Sequence, residues 1–261
     1  MTAASHPYLD WSGPIAFAHR GGNREHPENT FPAFAHAVSL GYRYLETDVH
    51  LTADGVLVAF HDTDLSRTCN MTGDIVELTW SEVSEALVDN REPIPLMAGL
   101  LEEFPDTRFN IDCKSGEALP ALLDLLREHE ALDRVCIGSF SHKRLRTMRQ
   151  SVGPDLLTCM SPREVATVRL SRRLRGTAPR IAQVPVRAGG SRARMQVTVV
   201  NERFINDANR LGVPVHVWTI NDAAEMHRLL DLGVHGIMTD DPELLRDVLV
   251  ERGEWKAASP T

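Results

Sequence analysis

The sequence has few cysteines and no excess of positive charge, and each absence excludes a class of protein. Its four cysteines never occur as C-x-x-C, which argues against a structural zinc site. A chain of this length can build its own core, which argues against a disulfide framework. We therefore expect reduced thiols. The formal net charge is -8 at pH 7, whereas a general nucleic-acid binder usually carries a basic surface. We expect no nucleic-acid partner, although a metal ion could still give such a chain affinity for phosphate.

We also expect neither a targeting segment nor a membrane segment. The N-terminus lacks a basic start followed by an apolar run, so we expect no signal peptide and a cytoplasmic location. No apolar stretch is long enough to span a bilayer, so we expect no stable membrane insertion. The 261 residues are 43% hydrophobic and 25% charged, which is ordinary for a globular protein. That length suits two small domains or one α/β barrel.

Short apolar runs alternate with helix-length periodic segments along the whole chain. The strand candidates are Ile15–His19, Tyr42–Leu51, Arg108–Lys114, Val135–Phe140, Leu156–Met160, Arg180–Val186, Val213–Ile220 and Gly236–Thr239. Helices are expected to begin near Thr30, Ala118, Ser141, Ser161, Asn201, Asp222 and Asp241. Several of these residues are good N-caps. Eight such units predict a (β/α)₈ barrel, that is, a TIM barrel in one domain over 1–261. An open doubly wound sheet is the alternative, but it usually has fewer strands.

The first strand ends in His19-Arg20-Gly21-Gly22. A lone histidine at a strand end is more often structural, but active sites of barrels are built at the carboxyl ends of the strands. Glycine lets the backbone approach a ligand closely, and the Arg20 guanidinium suits phosphate. His61, which follows another short apolar run, is a candidate partner for His19. Phosphodiester cleavage needs one group to take a proton and another to give one, and histidine suits both tasks.

Carboxylates accumulate on the polar face of the second strand. Alternation places Tyr44, Glu46, Asp48 and His50 on that face. Strands of a parallel barrel are buried on both faces, and two unpaired buried carboxylates would be costly unless a cation lay between them. Asp112 and Lys114 share a face of the third strand, which adds a third carboxylate and a cation. Three carboxylates favour Mg²⁺ or Ca²⁺ over zinc, although a plain salt bridge would also explain Asp112 and Lys114.

Taken together, these motifs resemble the glycerophosphodiester phosphodiesterase family. The matching residues run in family order: 19–22, 27–30, 46–48, 54–55, 61–62, 67–68, 112 and 114, 217–219 and 233–242. The resemblance implies a barrel enzyme that uses a divalent metal to hydrolyse glycerophosphodiesters to glycerol 3-phosphate and an alcohol. It implies His19 and His61 as the acid–base pair, with no indication of which is the acid. It also implies Glu46 and Asp48 as metal ligands and Arg20 and Lys114 as phosphate contacts.

Three features of this sequence bear on the comparison with the family. The third metal ligand of the family is usually glutamate, whereas this chain has the shorter Asp112, as the related sphingomyelinase D enzymes do. The family's insertion after the second strand corresponds to a short segment, 62–94. Trp218 at the end of the seventh strand is expected either as an apolar wall for the substrate alcohol or as barrel core.

Other functions remain open from the sequence. A lysophospholipase D-like enzyme would use the same residues on a lipid substrate, but it needs an apolar groove, and 62–94 has no membrane-binding stripe. A non-catalytic phosphate-binding barrel would not need two histidines. The arginine-rich segment Arg163–Arg194 is expected to be a solvated surface, with a basic rim that attracts anionic substrates or a membrane as the alternative.

Overall fold

A closed ring of parallel strands organises the chain. The computed structural model describes residues 6–174, 176, 178, 180–189 and 197–256. The strands are β1 (Ile15–His19), β2 (Tyr44–Leu51), β3 (Leu57–Ala59), β4 (Leu87–Val88), β5 (Glu92–Pro93), β6 (Arg108–Cys113), β7 (Val135–Gly138), β8 (Leu157–Cys159), β9 (Arg180–Pro185), β10 (Arg187–Ala188), β11 (Val197–Thr198), β12 (Val215–Trp218) and β13 (Gly236–Thr239). Strands β1, β2, β6, β7, β8, β9, β12 and β13 pair in parallel, and the β1–β2 pairing closes the ring. The predicted barrel is confirmed, and an open sheet is excluded.

Helices cover the outside of the barrel. They are α1 (Phe31–Ser39), α2 (Trp80–Val83), α3 (Met97–Glu103), α4 (Ala118–Glu128), α5 (His142–Val152), α6 (Pro162–Ser171), α7 (Glu202–Arg210), α8 (Ala223–Asp231) and α9 (Pro242–Glu251). The side chains of Ser141, Ser161, Asn201, Asp222 and Asp241 each accept a hydrogen bond from a backbone N–H three residues later. These N-caps satisfy donors that the first helical turn leaves free, which is why the predicted starts agree with the structure.

The barrel strands are buried on both faces. All of β2 except Leu51 is buried, as expected for a parallel barrel. One face packs against the helices, where Leu45 and Val49 join the main hydrophobic cluster. The other face points into the barrel, where Tyr44 packs with Phe17 and Leu157. Polar groups on this inner face therefore lie away from bulk water, and their charges are costly unless they are compensated.

The segment between β2 and β6 contains structure that the sequence did not predict. Strand β3 pairs antiparallel with β2, and a β4–β5 hairpin and helix α2 follow within 62–94. This segment has its own hydrophobic cluster, which includes Phe60, Leu65 and Val83. Helix α3 then packs on the barrel through Met97, Leu100 and Leu101. The sequence does not predict α3, because the helix has only seven residues and no side-chain cap.

Two further expectations concern the surface. Among the described residues, no helix combines the length and apolar character needed to cross a membrane. The arginine-rich segment forms helix α6, strand β9 and the first strand of a β10–β11 hairpin. Arg175, Arg192 and Arg194 of that segment lie outside the described residues.

All four cysteines are free thiols, and Cys113 faces the helices rather than the barrel interior.

Candidate active site

The predicted site residues line one pocket at the carboxyl ends of the barrel strands. The cavity has a volume of about 510 Å³. All eight predicted residues line it: the polar His19, Arg20, Glu46, Asp48, His61, Asp112 and Lys114, and the aromatic Trp218. They come from β1, β2, β6 and β12 and from the loops that follow β1, β3 and β6. The parallel ring brings these ends together, because every strand in it runs in the same direction.

His19 is held by a carboxylate from the other end of the chain. Its Nδ1 lies 2.6 Å from Asp240 Oδ1, and the other oxygen of Asp240 accepts a hydrogen bond from Asn221 at 2.7 Å. Because a carboxylate can only accept, Nδ1 carries the proton in this arrangement. The His19 Nε2 atom then faces Glu46 Oε2 at 3.6 Å, within the pocket.

His61 has the same kind of support from its sequence neighbour. Its Nδ1 is hydrogen-bonded to Asp62 Oδ1, and the other oxygen of Asp62 accepts from Arg67 Nε. The backbone carbonyl of His61 also accepts a hydrogen bond from His50 Nε2 at 3.0 Å. Through this contact, His50 of β2 helps to position the residue that carries the imidazole of His61. Both candidate catalytic histidines therefore have Nδ1 bound to a carboxylate, which leaves Nε2 for the substrate.

The surroundings of the two histidines shift their pKa values in opposite directions. Burial lowers the pKa of His19, but the carboxylates of Glu46 and Asp240 outweigh burial, and the pKa lies above its ordinary value. Burial also lowers the pKa of His61, and there the nearby carboxylate of Asp48 does not compensate. The pKa of Asp240 is below the ordinary carboxyl value despite burial, because His19 hydrogen-bonds to it.

The turn after β1 depends on two glycines. Arg20, Gly21 and Gly22 all have positive φ angles, of 54°, 80° and 94°. A Cβ on Gly21 would lie 2.9 Å from the backbone of helix α1, and one on Gly22 would lie 2.7 Å from the Pro242 ring. The turn thereby directs the Arg20 backbone N–H at Glu46 Oε2, 3.2 Å away, and its guanidinium at Glu28, 2.9 Å away. Glycine is needed at both positions on steric grounds.

Glu46 and Asp48 lie side by side and are buried. Burial and the charge of Asp48 raise the pKa of Glu46 to about 7. Asp48 Oδ2 has no hydrogen-bond partner in the described part of the chain, and Arg20 Nε lies 3.5 Å from it. A buried, incompletely satisfied pair of carboxylates suits a hard divalent cation, which prefers oxygen ligands. These two residues fit a metal ion on chemical grounds.

Asp112 stands in a different environment. The Lys114 ammonium lies between two carboxylates, 2.7 Å from Asp48 Oδ1 and 2.9 Å from Asp112 Oδ2. Burial lowers the pKa of Lys114, but the two aspartates outweigh burial and raise it above its usual value. Within the described residues, no three His, Cys, Asp or Glu side chains form a cluster with metal-holding geometry. A three-carboxylate site that includes Asp112 stays a prediction.

The opposite wall of the pocket is apolar. Trp218 lies between the pocket and the barrel core and meets Phe140 edge to face, with ring centroids 6.0 Å apart. The remainder of this wall comes from the residue after β8, from helix α6, from β9 and from the described residues at β10 and β11: Met160, Pro162, Val165, Ala166, Val184, Pro185, Ala188, Val197 and Val199. This apolar wall was not predicted, because its parts lie in separate elements. Trp218 is the one part of this wall that the sequence predicts; it lies against both the core and the pocket, and its contact with a substrate alcohol stays a prediction.

Several functional contacts were missed by sequence reasoning. Asp240, Asp62 and Glu28 all lie within the family motifs, but nothing local indicated that they bind His19, His61 and Arg20. Asp62 carried the best signal, because it directly follows His61. A second missed group lies on the pocket floor, where Gln183 donates to Asn110 at 2.8 Å and the Cys159 thiol contacts Gln183.

Comparison with known proteins agrees with this architecture. Residues 19–244 match the model of the "Glycerophosphoryl diester phosphodiesterase family". The chain is 36% identical to "Probable glycerophosphodiester phosphodiesterase 2" of Mycobacterium tuberculosis, over 96% of each protein. It is 27% identical to a human lysophospholipase D, over 89% of this chain and 85% of the human protein. A solved structure of an Oleispira antarctica phosphodiesterase, in complex with the product sn-glycerol-3-phosphate, has the same fold. The TM-score is 0.77 at 21% identity, and the match covers 96% of this chain and 100% of that one.

Proposed function

Since the chain belongs to the glycerophosphoryl diester phosphodiesterase family, we propose that it hydrolyses glycerophosphodiesters to glycerol 3-phosphate and an alcohol, with His19 and His61 as its acid–base pair. One observation carries the proposal. A single pocket contains two histidines whose Nδ1 atoms are bound to carboxylates, together with the cations of Arg20 and Lys114. Hydrolysis of a phosphodiester needs these groups: a base, an acid and positive charge for the phosphoryl oxygens.

The proposed reaction has two steps. In the first, one imidazole Nε2 accepts the proton of the glycerol hydroxyl that neighbours the phosphate, and the hydroxyl oxygen attacks phosphorus to give a cyclic phosphate. The other imidazole, protonated on Nε2, gives its proton to the leaving alcohol oxygen. In the second, water opens the ring and the proton transfers are reversed. Histidine suits this exchange because its ordinary pKa is close to neutral pH.

The carboxylate partners have a defined role in this scheme. Asp240 and Asp62 keep the Nδ1 proton in place on His19 and His61, so each ring presents Nε2 to the pocket. They also stabilise the imidazolium that forms when a ring takes up a proton, as the aspartate of a Ser-His-Asp triad does. Neither carboxylate needs to accept the proton itself.

Arg20 and Lys114 are proposed to bind the phosphate oxygens. Lys114 is charged at neutral pH, because its raised pKa results from two aspartates that outweigh burial. Both cations are already oriented by carboxylates, Arg20 by Glu28 at 2.9 Å and Lys114 by Asp112 at 2.9 Å. Orientation before substrate arrives avoids part of the entropic cost of ordering long side chains.

We propose that Glu46 and Asp48, with Asp112, hold a Mg²⁺ or Ca²⁺ ion. When bound, the ion would supply positive charge that stabilises the charge developing on a phosphoryl oxygen. The Asp112 side chain is shorter than the usual glutamate and is 15% exposed, against 3% for Asp48, so its contribution is expected to be weaker than that of the buried pair.

A lysophospholipid is the second candidate substrate, because the apolar groove that such a substrate needs is present. Trp218, Val165 and Val199 line the pocket next to the polar groups, and an acyl chain could lie against them. A human relative named as a lysophospholipase D supports this alternative.

One assay separates the two substrates. The purified protein is incubated with Mg²⁺ or Ca²⁺ and with glycerophosphocholine or a lysophosphatidylcholine, and both possible phosphate-containing products are quantified. Release of glycerol 3-phosphate supports the proposal, and release of lysophosphatidic acid from the lipid supports the alternative. Turnover of glycerophosphocholine by His61→Ala at the parent rate would contradict the proposed mechanism.

A further inference from the structure

Exposed apolar side chains concentrate beside the active-site pocket. Among the described residues, the large hydrophobic side chains that are most exposed are Val76, Phe140, Leu170, Val197 and Val250. Phe140, 65% exposed, and Val197, 46% exposed, line the pocket. Leu170, 81% exposed, follows the pocket-lining Ala166 by four residues on helix α6 and so lies one turn further along the same face. Two of the five therefore line this pocket, and Leu170 lies one helical turn beyond it.

Positive charge is concentrated in the same region. The described residues of segment 163–189 include six arginines and one acidic residue, Glu164, in a chain whose formal net charge is -8. Arg163 precedes Ala166 by three residues on the exposed face of α6, and Arg173 lies two residues beyond the end of that helix, after the left-handed C-cap Arg172. Arg187 lies next to the pocket-lining Ala188 and pairs with Thr198, beside Val197. The side chains of Arg163, Arg173 and Arg187 are exposed.

We propose that this rim, formed by Phe140, Arg163, Leu170, Arg173, Arg187 and Val197, binds the surface of a membrane that contains anionic lipids. Exposed aromatic and aliphatic side chains enter the boundary between headgroups and acyl chains, and neighbouring arginines bind anionic headgroups. An acidic chain would otherwise be repelled by such a surface, so the local excess of arginine decides the orientation of binding. Phe140 touches Trp218, so insertion of Phe140 would bring the pocket opening to the lipid surface.

The inference concerns binding and is independent of the proposed reaction, because vesicle association is measured without turnover. The protein is sedimented with vesicles of phosphatidylglycerol and phosphatidylcholine, and with pure phosphatidylcholine vesicles, at low and high salt. We expect binding to the anionic vesicles that weakens with salt, and little binding to the neutral ones.

Two variants test the assignment to the rim. Leu170→Ser removes an exposed apolar side chain and should weaken vesicle binding about tenfold. Arg173→Gln should weaken it about fivefold, the usual contribution of one basic residue near an anionic surface.

Neither residue lines the pocket, so both variants should hydrolyse a small soluble substrate at the parent rate. Matched controls are Val250→Ser on helix α9, where Val250 is 56% exposed, and Arg127→Gln on helix α4.

Three results would overturn the proposal. The first is absence of binding to anionic vesicles at low salt. The second is an equal loss of binding in Val250→Ser and Arg127→Gln, which would indicate a general effect of charge and hydrophobicity. The third is a change from dimer to monomer in light scattering for Leu170→Ser with unchanged vesicle binding, because the rim would then bind a second copy of the chain.

Discussion

His19 and Asp240 are 221 residues apart in the chain, yet His19 Nδ1 and Asp240 Oδ1 lie 2.6 Å apart. The contact forms because β13, the last barrel strand, pairs in parallel with β1, so both strands end at the same edge. Asp240 follows β13 directly, as Arg20 follows β1. Closure of the barrel thus completes the environment of the first candidate catalytic residue.

Removal of either candidate catalytic histidine should reduce turnover strongly. His19→Ala and His61→Ala should each lower kcat on glycerophosphocholine by about 10²- to 10⁴-fold, the usual contribution of general acid–base catalysis. The double variant should lose much less than the product of the two single losses, because both groups act on one reaction. Steady-state kinetics of the three variants test this expectation.

The control for these variants is His227→Ala on the outer helix α8, which should keep the parent kcat. Circular dichroism and thermal unfolding should show that His19→Ala remains folded. A multiplicative loss in the double variant would mean that the two histidines act independently, contrary to the proposed scheme.

Asp240→Asn should impair catalysis without preventing folding. The amide is nearly isosteric but carries no charge, so it neither fixes the Nδ1 proton of His19 nor stabilises the imidazolium. We expect kcat to fall at least about tenfold with a smaller change in KM, and the apparent pKa assigned to His19 in the pH–rate profile to decrease. Asn221→Ala, which removes only the hydrogen bond to Asp240, should show a smaller loss. An unchanged pH–rate profile in Asp240→Asn would exclude this role for the carboxylate.

Chelation should abolish activity, and Mg²⁺ or Ca²⁺ should restore it. If Glu46 and Asp48 bind the ion, Glu46→Gln and Asp48→Asn should each weaken metal binding at least about tenfold in calorimetric titrations. The same substitution at a surface carboxylate, Glu225→Gln on helix α8, serves as the control. Equal metal affinity in Glu46→Gln and in the parent protein would place the ion elsewhere.

Acid should destabilise the fold through His216. This side chain is fully buried in the barrel against Phe17, and neither ring nitrogen has a hydrogen-bond partner among the described residues. Burial and the charge of His235 lower the pKa of His216 to about 3. At a pH below the ordinary histidine pKa, His216 takes up a proton in the unfolded chain but stays neutral in the folded protein. The free energy of unfolding is therefore undiminished by His216 at neutral pH, and it decreases as the pH falls from about 6.5 towards 3.

Urea unfolding at pH 8 and pH 5 measures this effect. The His216 contribution alone should reduce the free energy of unfolding by about 2 kcal/mol between these values. His216→Leu lacks the titrating group, so its stability should fall by about 2 kcal/mol less over the same range. An identical pH dependence in the two proteins would show that His216 does not titrate on unfolding.

Arg149 should be a major determinant of stability. It is buried, and it donates to Thr158 Oγ1 at 2.7 Å, to the Cys159 carbonyl at 2.8 Å and to Glu164 Oε1 at 2.7 Å. Arg149→Met removes one of the two cations that lie beside the buried Glu164 in the described part of the chain, the other being Arg180 at 3.2 Å. It also removes the donor to Thr158 and Cys159. Together these losses should cost about 3–5 kcal/mol in urea unfolding.

Arg127→Met breaks only an exposed pair with Asp124 and should cost less than about 1 kcal/mol. Similar losses in both variants would mean that burial of the pair is unimportant.

The sequence by itself determined the parts that depend on local geometry. Side chains alternate along a strand, so Glu46 and Asp48 had to share a face whatever the fold. Side chains such as Ser161 and Asn201 can cap only the helix that they precede, so the helix starts could be predicted from the sequence. Helix α3 was missed because its seven residues lack both a long period and a side-chain cap.

Only the tertiary structure decided which groups meet. The Asp240–His19 contact, the hydrogen bond from His50 to the His61 carbonyl and the bridge of Lys114 between two aspartates join separate strands or loops. The apolar wall likewise needs α6, β9, β10, β11 and the loop after β7 to surround one opening. The physical reason is range: alternation and capping act over two to four residues, whereas these contacts exist only once the barrel closes.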